Sequence, residues 1–110
     1  LEDGVRDEQY LELLESALQH SFHHFQADLV MYIAGADPFE GDRLGRLRLS
    51  KSGLLARDRL ILNAVNRTGV PLAIVCGGGY CKDISSIVDI HAATMLLAAG
   101  ADHFLSEVVL

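Results

Sequence analysis

The chain has 110 residues, half of them hydrophobic, and a formal net charge of −6 when its histidines are neutral. This length and composition predict one folded unit, residues 1–110, and exclude an intrinsically disordered chain. The basic residues are scattered except for Arg43, Arg46 and Arg48, so they form no basic stripe for binding a nucleic-acid backbone. No apolar run is long enough to span a bilayer. We therefore expect neither nucleic acid nor a membrane as a partner.

The cysteines and the N-terminus bear on the cellular compartment. Cys76 and Cys81, the two cysteines, flank a Gly-rich turn. Without a wider cysteine framework we interpret them as free thiols in a reducing compartment, with a redox switch as the alternative. The acidic first residues do not resemble a signal peptide, and we predict a cytoplasmic location. Because the chain does not begin with Met, we expect a processed or excised piece.

The first half of the chain predicts a helix, a strand and a long loop. Asp7 is the expected N-cap of the helix, whose apolar residues recur at helical spacing until the segment ends at Asp28. The apolar run 29–33 predicts a strand covered on both faces. The polar loop 34–49 is long, and long ordered loops in compact domains are often functional.

The second half predicts two more helices around a second strand. Ser50 is the expected N-cap of the next helix, and Gly69 follows its end. The apolar run 72–75 predicts the strand, and Asp83 is the expected N-cap of a helix that ends at Gly100. The last ten residues are expected to form a short helix or an irregular tail.

This order of elements predicts an α/β fold with one βαβ unit, a right-handed crossover and two parallel strands. Two parallel strands do not form a stable sheet alone, because parallel sheets need cover on both faces and several neighbouring strands. We therefore expect a sheet that is incomplete on its own. The missing strands come from another part of the polypeptide, from another chain or from a second copy of this one.

Two side chains follow the predicted strands and are expected at the same edge of the sheet. Asp37 comes after the first strand, and Tyr80 comes after Gly77-Gly78-Gly79 at the end of the second. The carboxyl ends of parallel strands are where open α/β sheets bind ligands. Asp37 is either a ligand for Zn²⁺ or a carboxylate that caps its own turn. Tyr80 is either a hydrogen-bond donor to an oxyanion or a ring packed over the following helix.

The glycines before Tyr80 have two interpretations. They allow unusual backbone angles that aim Tyr80 into a cleft, or they bring backbone amides close to a phosphate at a helix N-terminus. The turn lacks the usual nucleotide-binding patterns, which makes the phosphate interpretation the weaker one.

Other polar residues are assigned structural roles. Asp42, Arg43 and Arg46 are expected to form a charged network that orders the loop, while the apolar Leu44 is suited to lining a pocket wall. His20 and His24 lie one helical turn apart, but two ligands without a third favour solvated histidines over a metal site. We expect His91 to be a packed histidine, and His103 follows Asp102 directly, without an Asp-x-His arrangement.

Several motifs follow one another in a specific order. They are Asp7-Glu8-Gln9-Tyr10, Ala27-Asp28-Leu29-Val30, Ala34-Gly35-Ala36-Asp37-Pro38, Gly41-Asp42-Arg43-Leu44-Gly45, Arg57-Asp58 and Gly77-Gly78-Gly79-Tyr80. With this order and spacing, the chain resembles the histone deacetylase superfamily over nearly its whole length, and especially the bacterial deacetylase-like and class IV-like branches. The resemblance implies an arginase-like α/β fold, of which this chain is the C-terminal part, and hydrolysis of an acetyl-lysine or acetyl-amine amide.

The resemblance also implies roles for individual residues. The family holds a zinc ion with an Asp-x-His pair and a second Asp, and Asp37 matches that second Asp. Tyr80 matches the tyrosine that hydrogen-bonds the carbonyl oxygen polarised by zinc. Leu44 matches a position that lines the acyl tunnel, and Gly78 and Gly79 match glycines that shape its wall.

The resemblance further implies that the chain carries only part of the family's active site. The family's tandem catalytic histidines and Asp-x-His pair lie upstream of the matching segment, and His23-His24 lies in an amphipathic helix without the family's surrounding motif. We therefore expect the isolated chain to be inactive and to bind no zinc, with the missing N-terminal part of the domain as its partner. The alternative is a non-catalytic structural fragment that self-associates.

Overall fold

A computed structural model describes residues 1–107, and it confirms the predicted alternation of helices and strands. None of the described helices is long and apolar enough to cross a membrane. A 3₁₀ helix lies in the expected C-terminal helix or tail, whose residues 108–110 fall outside the described part. In chain order the elements are α1 (Asp7–His24), β1 (Val30–Gly35), α2 (Lys51–Thr68), β2 (Leu72–Gly77), α3 (Ile84–Ala98) and the 3₁₀ helix η1 (Asp102–Glu107).

The predicted caps of α2 and α3 are confirmed. The Ser50 hydroxyl accepts a hydrogen bond from the Gly53 N–H at 2.9 Å, and the Asp83 carboxylate accepts one from the Ser85 N–H at 3.1 Å. Each bond satisfies an amide that would otherwise lack a partner in the first turn. Gly69 ends α2 in the left-handed conformation, with φ of +70°.

The predicted cap of α1 is wrong. Arg6 is the N-cap residue, and no side chain caps this helix. The Asp7 carboxylate instead accepts hydrogen bonds from the Ser50 backbone N–H at 2.8 Å and from the Ser50 hydroxyl at 2.6 Å. Asp7 therefore ties the start of α1 to the start of α2, which is a tertiary contact that local spacing does not reveal.

The described residues form one sheet, in which β1 and β2 pair in parallel as predicted. The register runs from Val30 opposite Leu72 to Gly35 opposite Gly77. Both strands therefore end at the same level, and the loops that follow them start side by side.

The helices cover one face of the sheet. Even-numbered residues of β1 point toward the helices, and Ala34 is fully buried. The apolar core beside it is formed by Ala36, Leu49, Leu54 and Ile90.

The other face carries an exposed apolar patch, the bare sheet face, formed by Leu29, Met31, Ile33 and Val75. The strand expected to be covered on both faces is thus covered on one within this chain, in agreement with an incomplete sheet.

Candidate active site

The loops after β1 and β2 meet at the carboxyl end of the sheet, and they bring Asp37 against the Gly-rich turn. The Ala36 N–H donates to the Gly77 carbonyl at 3.0 Å, which extends the strand pairing by one bond. The half-buried Asp37 carboxylate accepts a hydrogen bond from the Gly79 N–H at 3.3 Å. The predicted meeting of the two loops is therefore present in the structure.

Glycine is required where the turn approaches Asp37. Gly78 has φ of +55°, and a Cβ there would overlap the Asp37 carboxylate. Gly79 has φ of +102°, and a Cβ there would press against Ile87 and Ala36. Because side chains other than hydrogen disfavour these angles, the two glycines let the backbone pass within contact distance of the carboxylate.

Asp42 joins the two loops. Its side chain is only 6% exposed, and one carboxylate oxygen, Oδ1, accepts the backbone N–H groups of Leu44 and Gly45, both at 2.8 Å. The other oxygen, Oδ2, accepts the Tyr80 N–H at 2.6 Å. Burial raises the pKa of Asp42, but these three hydrogen bonds and nearby Arg43 outweigh it and hold the pKa below its usual value.

The arginines of the expected charged network separate into two roles. Arg43 donates from Nε to the Tyr80 carbonyl oxygen at 2.8 Å and belongs to the network. Arg46 instead lies 3.6 Å from Asp3 in a highly exposed ion pair, of a kind that contributes at most about 1 kcal/mol. The network that orders this site is therefore Asp42 and Arg43, without Arg46.

Tyr80 and Leu44 present their side chains at the surface beside this junction. Tyr80 is 47% exposed and Leu44 is 69% exposed. Among residues 1–107, no group forms a hydrogen bond with the Tyr80 hydroxyl. A phenol held by its backbone, with a free hydroxyl, is suited to donate a hydrogen bond to a bound molecule.

The phosphate interpretation of the Gly-rich turn is disfavoured. The amides of Gly79 and Tyr80 already donate to the carboxylates of Asp37 and Asp42. A phosphate at this turn would have to displace or face two negative charges. The turn is therefore organised around carboxylates.

Sequence reasoning named Arg57-Asp58 only as a motif of the resemblance and did not predict the buried charged network that these residues form beneath the site. Arg57 and Asp58 on α2 are 3% and 1% exposed, and they form an ion pair at 2.9 Å. Arg57 also donates from Nη1 to the Gly35 carbonyl oxygen at 2.6 Å, two residues before Asp37. Asp58 accepts hydrogen bonds from the Tyr32 hydroxyl at 2.5 Å and the Thr94 hydroxyl at 2.6 Å. The network therefore connects β1, α2 and α3 at the end of β1.

A signal for this network exists in the sequence. Asp58 lies four residues after Leu54 and three before Ile61, on the apolar stripe of α2. A carboxylate in phase with such a stripe is buried and needs partners. Burial, together with the hydrogen bond to Asp58, raises the pKa of Tyr32 despite the nearby Arg57. Tyr32 therefore remains a neutral donor to Asp58.

The described residues contain no group of three His, Cys, Asp or Glu side chains that could hold a metal ion. Asp37 therefore has no two further candidate metal ligands beside it among these residues.

The histidines noted in the sequence lie on the helices of the fold. His20 and His24 stack with ring centroids 4.1 Å apart in an exposed part of α1, and His24 Nδ1 forms a hydrogen bond with the His20 carbonyl. His91 is partly buried, and its Nδ1 has no hydrogen-bond partner within the described chain. His103 lies against Phe104, on η1.

Comparisons with known proteins agree on one family. The family model described as histone deacetylase domain matches residues 1–95. An uncharacterized protein of Picosynechococcus sp. is 41% identical over 92 residues, which cover 84% of this chain and 31% of that protein. Histone deacetylase 2 of Arabidopsis thaliana is 34% identical over 85 residues, which cover 77% of this chain and 22% of that protein.

A solved structure shares the fold. The crystal structure of an HDAC homolog complexed with SAHA matches with a TM-score of 0.74 and 21% sequence identity, covering 91% of this chain and 25% of that chain. The chain therefore spans less than a third of the length of these relatives. The family resemblance predicted from the motifs is confirmed, and the chain belongs to the histone deacetylase family.

Proposed function

We propose that residues 1–110 are the C-terminal part of a zinc-dependent deacetylase, which hydrolyses the amide of an acetylated lysine or another acetylated amine. The family is one of hydrolases that act as deacetylases. The observation that carries the proposal is the meeting of Asp37 and the Tyr80 loop at the carboxyl end of the paired strands. This is the edge where open α/β sheets perform their chemistry.

Asp37 is proposed as one ligand of the zinc ion in the complete enzyme. Its carboxylate stands at a strand end, against a turn whose glycines leave no side chain in the way. One carboxylate does not make a metal site, and the other ligands and the general base belong to parts of the domain beyond this chain. In such enzymes zinc polarises the amide carbonyl and activates water.

Tyr80 is proposed as the catalytic residue of this chain. Its hydroxyl is unpartnered within the described residues, and its backbone is held on both sides by the Asp42–Arg43 pair. A donor that is fixed before the reaction stabilises the negative charge that develops on the carbonyl oxygen, because no reorganisation is needed at that moment.

Leu44, Gly78 and Gly79 are proposed to shape the path of the substrate. Leu44 places an exposed apolar side chain directly after Arg43, which contacts Tyr80. Gly78 and Gly79 leave the turn before Tyr80 free of side chains, so the backbone passes close to Asp37. An aliphatic acyl-lysine or acyl-amine chain fits such a surface better than a charged ligand does.

The isolated 110-residue chain is proposed to be inactive, and the complete enzyme to act in the cytoplasm. Its proposed partner is the remainder of the deacetylase domain. The bare sheet face favours one alternative, a structural fragment that associates with copies of itself.

Tyr80→Phe in the complete enzyme tests the proposal. Removing one oxyanion donor is expected to lower kcat by on the order of 10²–10³-fold, while the zinc content of the purified enzyme stays unchanged. Tyr10→Phe is the matched control, because it removes a hydroxyl that forms no hydrogen bond in the described structure. Near-normal turnover of the Tyr80 variant would refute the assigned role.

A further inference from the structure

We propose that Asp42 is a positioning residue that holds Tyr80 in its working orientation through the Tyr80 backbone. The inference rests on the proposed catalytic role of Tyr80. It assigns a function to a side chain that neither touches the substrate in the proposed mechanism nor binds the proposed metal.

Tyr80 needs an external anchor because its own segment does not fix its direction. It follows Gly78 and Gly79, both with positive φ. Glycine has the widest range of backbone angles, and a segment built on it gains its orientation from contacts elsewhere. The ring is half exposed and the hydroxyl is unpartnered. The tight contacts at this position are therefore those of the backbone.

Asp42 and Arg43 supply these contacts from the other loop. Asp42 Oδ2 accepts the Tyr80 N–H at 2.6 Å, and Arg43 Nε donates to the Tyr80 carbonyl oxygen at 2.8 Å. Two consecutive residues thus engage both backbone polar groups of Tyr80. Hydrogen bonds in which one partner is charged are about twice as strong as neutral ones.

Asp42 is itself immobilised, which allows it to act as a fixed point. It is nearly buried, and its other oxygen accepts the N–H groups of Leu44 and Gly45. The Asp42 N–H donates to the Phe39 carbonyl at 2.9 Å. Arg43 is exposed to solvent, and its contact is therefore the weaker of the two.

Asp42→Asn changes this arrangement with almost no change in size. An amide has one oxygen and one NH₂ group, whereas all three neighbours of Asp42 are N–H donors. If the oxygen keeps its bonds to Leu44 and Gly45, the NH₂ group faces the Tyr80 N–H, donor against donor. The substitution therefore releases Tyr80 while the loop keeps its own turn.

The test is a double-mutant cycle on kcat in the complete enzyme. Misplacement of a reacting group by about 1 Å can cost on the order of 10²-fold, and we expect Asp42→Asn to lower kcat by about that factor with little change in KM or zinc content. In the Tyr80→Phe background the same substitution is expected to have no further effect, because Asp42 acts through the Tyr80 hydroxyl. Glu40→Gln is the control in the same loop, with its side chain in solvent.

The outcomes separate this inference from the proposed function. If Tyr80→Phe alone has no effect, the proposed function fails. If Tyr80→Phe lowers kcat but Asp42→Asn does not, or lowers it equally in both backgrounds, Asp42 only supports the loop and the inference is overturned.

A second variant tests the inference if the Asp42→Asn protein does not fold. Arg43→Gln changes an exposed side chain and removes both the charged hydrogen bond to the Tyr80 carbonyl and a positive charge near Asp42. It is expected to lower kcat by a smaller factor, again only when Tyr80 carries its hydroxyl. If Asp42→Asn does not fold, an Arg43→Gln loss that is absent, or that persists in the Tyr80→Phe background, would overturn the inference that contacts from this loop to the Tyr80 backbone position its hydroxyl.

Discussion

Glycine at position 78 illustrates how one residue type sets the geometry at the strand ends. Its φ of +55° lies in the left-handed region, and a Cβ there would overlap the Asp37 carboxylate. Gly69 has a similar φ of +70°, yet no atom lies within 4 Å of the place that its Cβ would take. An alanine at position 69 would therefore suffer backbone strain alone, whereas an alanine at position 78 would suffer both backbone strain and steric overlap.

We expect Gly69→Ala to lower the free energy of unfolding by about 1–2 kcal/mol, the cost of a left-handed L-residue. We expect Gly78→Ala to lower the free energy of unfolding by that amount and by about 1–3 kcal/mol more, because the Asp37 carboxylate has to move. Urea titrations of both variants measure the difference. Equal losses would show that the close approach to Asp37 carries no energetic weight.

At the scale of elements, α2 anchors the end of β1 through a buried ion pair. Arg57 donates a hydrogen bond to the Gly35 carbonyl, and Asp58 accepts hydrogen bonds from the hydroxyls of Tyr32 and Thr94. A buried charge pair is weak evidence for net stability, since desolvation offsets its attraction. Removing one partner is costly, however, because the other charge is left buried and unpaired.

We expect Asp58→Asn to lower the free energy of unfolding by about 3–5 kcal/mol, because it leaves the Arg57 guanidinium buried without its counter-charge. Asp3→Asn is the matched control, since it removes the partner of Arg46 in an exposed pair and is expected to cost at most about 1 kcal/mol. Chemical denaturation of the two variants measures both values. Similar losses would contradict the anchoring role of the buried pair.

At the scale of the whole molecule, the two-stranded sheet has one apolar face exposed to solvent and two unpaired edges among the described residues. The bare sheet face exposes Met31 at 64% and Ile33 at 66%, and each described strand pairs along one edge only. Fully burying such side chains stabilises a protein by about 1.5–3 kcal/mol each. Parallel strands that are covered on one face are therefore expected to recruit further structure.

We expect the 110-residue chain alone to associate into oligomers of 12.0 kDa units that carry no zinc, because its apolar face is uncovered and its described residues contain no group of three side chains that could hold a metal ion. Native mass spectrometry with added zinc measures both properties. Met31→Lys with Ile33→Lys should yield monomers, whereas Phe25→Lys, an exposed apolar residue outside the sheet, should not. A zinc-free monomer of the unmodified chain would contradict the association, and stoichiometric zinc would mean that these chains complete the ligand set themselves.

Local patterns in the sequence were enough to predict much of this protein. The helices, the strands and the caps Ser50 and Asp83 follow from spacing within short segments, where residues a few positions apart set the backbone geometry. The parallel pairing follows from the order of these elements along the chain, and the family follows from the order and spacing of several motifs. The sequence also placed Asp37 and Tyr80 at one sheet edge, because parallel strands bring their carboxyl ends together.

Only the tertiary structure decided which distant groups are joined. Asp7 bonds Ser50 across 43 positions instead of capping its own helix, Asp42 bonds Tyr80 across 38, and Arg57 bonds Gly35 across 22. A buried charge or amide needs a partner wherever the fold supplies one, and that partner is chosen by packing in three dimensions. The sequence by itself therefore determined the elements and the family, while the packing of α1, α2 and the two strand-end loops determined how the site is held.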